Sequence, residues 1–417
     1  MTPLHRAMSR GRLCVVVGVC AVAMRSTPLQ AQERLFPART ATIGPVYERW
    51  SFASGLLQPV GDGSGVVELK SASAWSLPLA ASIGFGARWT FDLSTAVSNG
   101  TVRLRGADPS LGKSEYSLSG FTDVKARLTA RVVGDNVIAT LGANLPSGAT
   151  SLAPEEFAAL RVLAAPALAM QTPALGTGPG ATAGLVLARR IASWAWAFGA
   201  SYELRRTYTP VAFATGTPGQ NVDPGDALHL SVGADGLLGQ HGMTLALTTD
   251  VFTKDQLDAN VRGGIGGTLV APDAFTTRLG PIVTIDGQLR LAAPRFRELT
   301  VYAVERYRAP YERRGSRVDD SNANYLDAGV RAVYPLSPST GVLSVLNLRH
   351  QTGLKSDSTL ATAATAGAGV TLGLVRAIGD GYSLQPFVRV DYAKIKSANT
   401  SAGATGQAVG VTLGRRF

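Results

Sequence analysis

Apolar and polar residues alternate with a period of two along most of this chain, and few folds can use that pattern repeated so often. From Thr122 to Val132, the residues Val124, Ala126, Leu128, Ala130 and Val132 fall on one face and Asp123, Lys125, Arg127, Thr129 and Arg131 on the other. Successive side chains of an extended strand point to opposite faces, so each such stretch reads as a strand with one apolar and one polar side. Ile83 to Leu93 repeats the pattern with Arg88 and Asp92 on its polar face. The stretch from Trp194 to Arg205 sets Glu203 and Arg205 against tryptophans, Phe198 and Tyr202. Residues 282–291 (Asp286, Arg290), 325–334 (Asp327, Arg331) and 382–392 (Arg389, Asp391) follow suit, with Phe387 the one aromatic on a polar face.

Only 17% of the residues are charged, against roughly 25% in soluble globular proteins. Past the first thirty residues no uncharged apolar run reaches the length of about 18 that a membrane-crossing helix needs. The remaining membrane architecture is an all-β, transmembrane, antiparallel up-and-down barrel, which turns one face of every strand to lipid and pairs every backbone group in its wall. Candidate strands lie near 45–55, 65–77, 82–95, 118–133, 136–147, 180–191, 193–207, 226–238, 242–252, 279–291, 296–308, 323–335, 340–352, 364–378, 382–396 and 404–417. That is sixteen strands, or fourteen if the two least regular, at the start, are not counted.

A soluble β-sandwich also alternates. Against it stand the length of the segments, the aromatics near strand ends on the apolar face, and the chain's last residue, Phe417. A terminal Phe preceded at alternate positions by Leu413, Val411 and Val409 resembles the signal by which barrel-assembly machinery recognises its clients. Arg415 departs from that pattern, where an aromatic is common. Residues 1–31, with Arg6, Arg10 and Arg12 before the apolar stretch Leu13–Met24, read as a cleaved export signal. A short periplasmic segment (32–44) and the barrel (45–417) follow. Cys14 and Cys20 both lie in the signal, which excludes disulfides and thiolate metal sites from the rest.

Short connections at Gly134-Asp135, Gly379-Asp380-Gly381 and Pro335–Thr340 are expected to face the periplasm. The loops at 97–117, 148–179, 208–225, 253–278, 309–322 and 353–363 are expected to face outward. The loop at 148–179 carries the one convincing helix, with Ser151 as its cap, Pro154, Glu155 and Glu156 in the first turn, and an end at Pro166. Phe157, Leu160 and Leu163 recur at helical spacing, and the apolar run continues to Met170. Such a loop must bury itself, against the barrel rim, or as an apolar substrate mouth, or by folding into the pore.

The segments SGFTDVKARLTARVV (119–133), ATLGANLPSG (139–148) and GTGPGATAGLVLARRIASWAWAFGASYELRR (176–206) carry a family likeness. They resemble outer-membrane transporters of the phenol-degradation meta-pathway type, relatives of the FadL fatty-acid transporters. The likeness is good over 115–250 and loose elsewhere, and its motifs are turn and strand chemistry. It implies passive transport of small hydrophobic or aromatic compounds. FadL itself has an N-terminal hatch in its lumen, for which the thirteen residues before the first strand leave no room, so closure of this pore is assigned to the loop at 148–179.

No catalytic signature, P-loop, His-Glu-x-x-His motif or nucleic-acid patch is present in the sequence, and no metal or cofactor is expected. His229 and Ser231 share a strand face and loosely resemble the His-x-Ser pair of lipid A deacylases, a remote enzymatic alternative that gives way to a lumen hydrogen-bonding role. The run 305–320 could grip lipopolysaccharide phosphates or pair internally, and DDSNAN (319–324) reads as a turn. The inward faces collect Arg88, Asp92, Asp123, Lys125, Arg127, Arg131, Glu203, Arg205, Asp286, Arg290, Asp327, Arg331, Arg389 and Asp391. A lining of this kind is hydrated, which keeps a porin-like channel for hydrophilic solutes, with mild anion preference, as the second reading. The expected partners are outer-membrane lipid, lipopolysaccharide, the assembly machinery and a small-molecule solute.

Overall fold

The computed structural model describes residues 40–59, 66–107, 112–170, 175–211, 220–257, 275–352, 363–379, 381–397 and 400–416. The export signal, residues 32–39 and Phe417 lie outside them. In chain order the strands are β1 Thr40–Ile43, β2 Val46–Phe52, β3 Leu57–Pro59, β4 Val66–Phe85, β5 Trp89–Leu104, β6 Glu115–Phe121, β7 Val124–Val133, β8 Val137–Leu145, β9 Gly180–Ile191, β10 Trp194–Arg205, β11 Tyr208–Val211, β12 Gln220–Asp223, β13 Ala227–Leu238, β14 His241–Phe252, β15 Asp255–Leu257, β16 Phe275–Arg278, β17 Ile282–Arg290, β18 Glu298–Arg308, β19 Glu312–Arg313, β20 Ser316–Arg317, β21 Ala323–Ser337, β22 Thr340–Gln351, β23 Ala364–Gly379, β24 Tyr382–Ser397 and β25 Thr400–Arg416. The helix α1, Pro154–Leu163, stands between β8 and β9.

The wall is a closed antiparallel barrel of sixteen staves. Its first stave is β1 with β2, and its fourth is β6 with β7, both of which pair with β5. Closure is direct: Trp50 of β2 lies opposite Ala72 of β4 on one side and Gly406 of β25 on the other. Among the described residues the barrel wall keeps no free edge strand, as a wall without water on its outer side requires.

Partners directly opposite in an antiparallel ladder share a face, so register carries one face around the whole ring. Asp92 is opposite Arg127, Arg127 opposite Gly142, Gly142 opposite Thr182, and Thr182 opposite Glu203. The same walk, continued through Asp250, Asp286, Asp327, Arg349 and Asp391, returns to Trp50 without a change of parity. That face points inward. The other carries the large exposed apolar side chains, among them Phe91, Leu141, Leu187, Phe198, Leu247, Leu348, Val390 and Tyr392. A continuous apolar outer wall of this extent is built for lipid rather than water.

The alternation at Ile83–Leu93 is not one strand. Gly86, Ala87 and Arg88 form a tight turn between β4 and β5, and Phe85 pairs back onto Trp89. A three-residue turn returns the chain with the same parity, so a hairpin and a strand leave the same pattern in the sequence. The expected strand at 82–95 and loop at 97–117 are thereby replaced by two long staves, β5 running on to Leu104. Beyond the long-loop end, β11, β12, β15, β16, β19 and β20 form a separate small sheet.

The lumen and its inserted loop as the candidate functional site

The break between β6 and β7 falls at Thr122-Asp123, and the Asp123 carboxylate organises the loop that follows two strands later. It accepts the backbone N–H of Gly148 at 3.0 Å, the backbone N–H of Thr177 at 2.7 Å, the Thr177 hydroxyl at 3.2 Å and the Asn144 side-chain amide at 2.9 Å. Gly148 opens the loop and Thr177 closes it, so one buried carboxylate clasps both of its ends. The Asp123 N–H donates to the Leu175 carbonyl at 3.0 Å, and the Val124 N–H to the Ser147 hydroxyl at 2.8 Å. Glycine is required at 148, where a Cβ would stand 2.2 Å from the Leu175 carbonyl oxygen. The residues of the family likeness, Thr122-Asp123, Asn144 to Gly148 and Gly176-Thr177-Gly178, are therefore the parts of one loop clasp.

Held this way, the loop enters the barrel. Helix α1 packs against the inward faces of β4, β5 and β6. Leu163 is fully buried and abuts Gly100, whose lack of a Cβ makes the approach possible. Ala158, Ala159, Val162, Leu168 and Leu175 join it in a core with Trp50, Phe52, Leu69, Val102, Tyr116, Leu118 and Ile395 of the wall. The cap differs from the Ser151 expectation. Ala153 precedes the first turn, and Glu156 reaches back to accept the Ala153 N–H at 2.9 Å, so a Glu at the third helical position replaces the hydroxyl. The helix also stops earlier, at Leu163. Its most buried positions are Ala158, Ala159, Val162 and Leu163, of which the two alanines are small enough to allow close approach. Phe157, Leu160 and Met170 keep part of their surface accessible.

The remaining inner wall is charged. His229 is bracketed by two carboxylates, Nδ1 at 2.7 Å from Asp250 and Nε2 at 3.3 Å from Glu203. Both ring nitrogens are thus engaged away from Ser231, and no nucleophile–base pair is assembled. The side chains of Glu203, His229 and Asp250 are 37, 33 and 23% accessible, so this side of the lumen is not filled. Arg127 pairs with Asp92 at 3.0 Å and Arg331 with Glu298. A buried chain of charges crosses five staves: Arg349 to Asp391 at 2.5 Å, Asp391 to Arg389 at 2.7 Å, Arg389 to Glu48 at 2.6 Å. The Arg349 guanidinium also lies 6.0 Å from the Trp50 ring centre, within cation–π reach.

Of the residues singled out in the sequence, Asp92, Lys125, Arg127, Arg131, Glu203, Arg205, Asp286, Arg290, Asp327, Arg331, Arg389 and Asp391 occupy inward register positions, and Asp123 the strand break. Arg88 does not: it sits exposed in the β4–β5 turn. Arg131 pairs with Asp135 at the short-turn end. Glu48, Asp250 and Arg349 were not singled out. Each is a lone inward charge near a strand end or in an irregular strand, where the alternation is weakest.

At the long-loop end, Asp226 accepts the Tyr202 hydroxyl at 2.8 Å and the Arg205 N–H at 3.1 Å. These bonds hold its carboxyl below the usual carboxylate range, and burial raises the Tyr208 phenol. Arg313 and Arg314 of the 305–320 run stack over Phe275, and Glu312 pairs with Arg278, both partners lying on β16 outside the run, while Arg317 pairs with Asp319 within it. Ser321 is buried, accepting the Tyr311 N–H and donating to the Val318 carbonyl; Asp319 and Asp320 of DDSNAN form a turn, and Ala323 and Asn324 already belong to β21. Among the described residues no cluster of His, Cys, Asp or Glu is arranged to hold a metal.

No family model matches the sequence, and no curated protein is detectably similar to it. Solved barrels do align along most of the chain. A FadL homologue from Pseudomonas aeruginosa shares 11% identity, covering 91% of this chain and 90% of that one, with a TM-score of 0.45. A mutant of the monoaromatic hydrocarbon channel TodX shares 9%, covering 91% and 90%, at 0.44. An outer-membrane channel from Pseudomonas putida F1 shares 12%, covering 90% and 95%, at 0.32. At these values the likeness is that of one barrel to another, and the function is argued from the lumen itself.

Proposed function

We propose that the protein is a passive channel of a bacterial outer membrane that carries small hydrophobic or aromatic compounds. The observation that carries this reading is that residues 148–170 and 175–179 of the loop fold inside the barrel, with Phe157, Leu160 and Met170 still partly accessible, while another stretch of the inner wall is charged and accessible. A loop that only closed a pore would gain from burying its apolar side chains completely, at about 25 cal/mol per Å². An aqueous pore gains nothing from an apolar surface in its lumen. A route with one greasy side and one hydrated side suits solutes that are mostly apolar and carry a small polar group.

In this reading the short-turn end and the chain termini face the periplasm, the export signal at 1–31 is removed, and Phe417 serves assembly. The inward charges Asp92, Lys125, Arg127, Glu203, Arg205, Asp286, Asp327, Arg331 and Arg389 line or brace the hydrated side. The accessible Glu203–His229–Asp250 group is the specific observation that favours the second reading, a porin-like path for hydrophilic solutes.

Deleting residues 152–172 separates the two. On the first reading uptake of a hydrophobic tracer falls while the barrel stays folded. If the loop instead plugs a hydrophilic pore, ion conductance in planar bilayers rises and tracer uptake is unaffected. A deletion that changes neither overturns both.

A further inference from the structure

The C-terminal strand departs from an aromatic ending at Arg415, and the structure shows what surrounds that arginine. On β25 the lipid-facing row runs Val409, Val411, Leu413, Arg415. On β23 it runs Val370, Leu372, Leu374, Arg376, Ile378. The two arginines flank the single strand β24, Arg376 opposite Leu384 and Arg415 opposite Tyr382. The Arg415 guanidinium lies 4.6 Å from the Tyr382 ring centre, and both arginines are exposed. Neighbouring strands are about 4.8 Å apart, which sets the arginines roughly two strand spacings apart along the rim. The backbone at Arg415 is held, because the neighbouring Arg416 N–H donates to the Gly381 carbonyl at 2.8 Å and ties the last strand to the turn before β24.

We infer that Arg376, Tyr382 and Arg415 form a binding site for the phosphate of an anionic phospholipid in the leaflet at the short-turn end of the barrel. The inference rests on the outer-membrane reading above, which makes that leaflet the periplasmic one. Three features favour lipid over a soluble acidic partner. The arginines continue the apolar lipid-facing rows rather than projecting from a turn. They stand at the short-turn ends of those rows, Arg415 last among the described residues of its row and Arg376 followed by Ile378 alone, at headgroup level. A tyrosine lies between them, with an apolar ring suited to the interface. Arginine offers a planar, always charged fork that matches phosphate oxygens in pairs. Acyl chains below the phosphate meet Leu372, Leu374 and Leu413 on the same staves, so headgroup and tail are contacted together.

The test uses full-length protein refolded from denaturant into detergent micelles containing equal amounts of phosphatidylglycerol and phosphatidylethanolamine, read by native mass spectrometry. The wild type retains phosphatidylglycerol in preference to phosphatidylethanolamine. Arg376→Gln with Arg415→Gln weakens that preference, by roughly fivefold per arginine removed, while Arg376→Lys with Arg415→Lys folds and keeps most of it. Displacement of the bound lipid by millimolar inorganic phosphate marks a free-anion site instead and overturns the proposal. So does an unchanged lipid preference in a glutamine double variant that refolds in vitro but fails to assemble in cells, since the arginines then serve the assembly machinery. The outer-membrane reading is checked apart from this, by fractionation of cells expressing the wild type. Wild-type protein found outside the outer membrane fails that reading, whereas a correctly located wild type without lipid preference fails only the site.

Discussion

The two sides of the lumen differ in how they are held. Under α1 the wall of β2, β4, β5, β6, β24 and β25 is apolar and closed over: Leu163, Leu168 and Leu69 have no accessible surface. Along β10, β13 and β14 the wall is charged and open, with a third of the His229 side chain accessible. The first side is ordered by packing, the second by ion pairs that water can reach. Packing of buried apolar groups fixes position strongly, while exposed ion pairs contribute little to stability. One side of the lumen is thus a rigid apolar platform, and the other can change residues at small structural cost.

Four experiments test that contrast. The largest effect is expected where the sides meet, in the buried chain from Arg349 through Asp391 and Arg389 to Glu48. Asp391→Ala leaves two guanidinium groups short of a partner, one of them nearly inaccessible. Removing one member of a buried pair costs about 3–5 kcal/mol, seen as a lowered temperature for the shift from folded to unfolded gel mobility. Next is the outer face: Leu128→Arg puts a charge toward lipid and costs roughly 2–4 kcal/mol near the midplane, impairing assembly, whereas Thr129→Arg on the inward face is tolerated. Equal outcomes for the two would show that the register is wrong.

Asp123→Ala acts on the clasp. It leaves the Gly148 and Thr177 N–H groups without their acceptor, about 1–3 kcal/mol for each buried group. The barrel survives, the loop loosens, and protease cleaves within 148–179 faster than in the wild type. Protection equal to the wild type would mean that helix packing alone holds the loop. The smallest effect belongs to the open side. Glu203→Gln leaves the melting temperature within a degree or two, a surface-type change, and moves the reversal potential in planar bilayers toward anion selectivity.

The architecture was legible because each stave is amphipathic in its own right. The even count and the inward charges of β10, β17, β21 and β24 follow from local alternation, which the closed wall preserves, whereas Asp123, read within one strand over 118–133, stands at the break between β6 and β7. The hairpin at Gly86–Arg88 was not legible, since a three-residue turn keeps the parity of the strands it joins, and Arg88 was misplaced with it. The helix was visible from its first-turn acids, yet its docking face was only partly so: spacing marks Phe157, Leu160 and Leu163, of which Leu163 makes the contact with Gly100, while Ala158, Ala159 and Val162 are buried in place of Phe157 and Leu160. Nor could one sequence bring Asp123 to both Gly148 and Thr177, because that contact joins the strand break to the two ends of a loop. The same holds for Glu48 and Arg389, which lie 341 positions apart and meet only when the barrel closes.

Helix α1 lies inside the barrel against β5, and a crosslink reads that placement directly. Both cysteines of the chain fall in the export signal, so Gly100→Cys with Leu163→Cys introduces the only thiols expected in the mature protein. A Cβ at position 100 falls against the Leu163 side chain. The account predicts that the two thiols join in intact cells without added catalyst, resist labelling by an external maleimide until reduced, and leave hydrophobic-tracer uptake measurable. Two free thiols, both labelled from outside in the folded barrel, would contradict it.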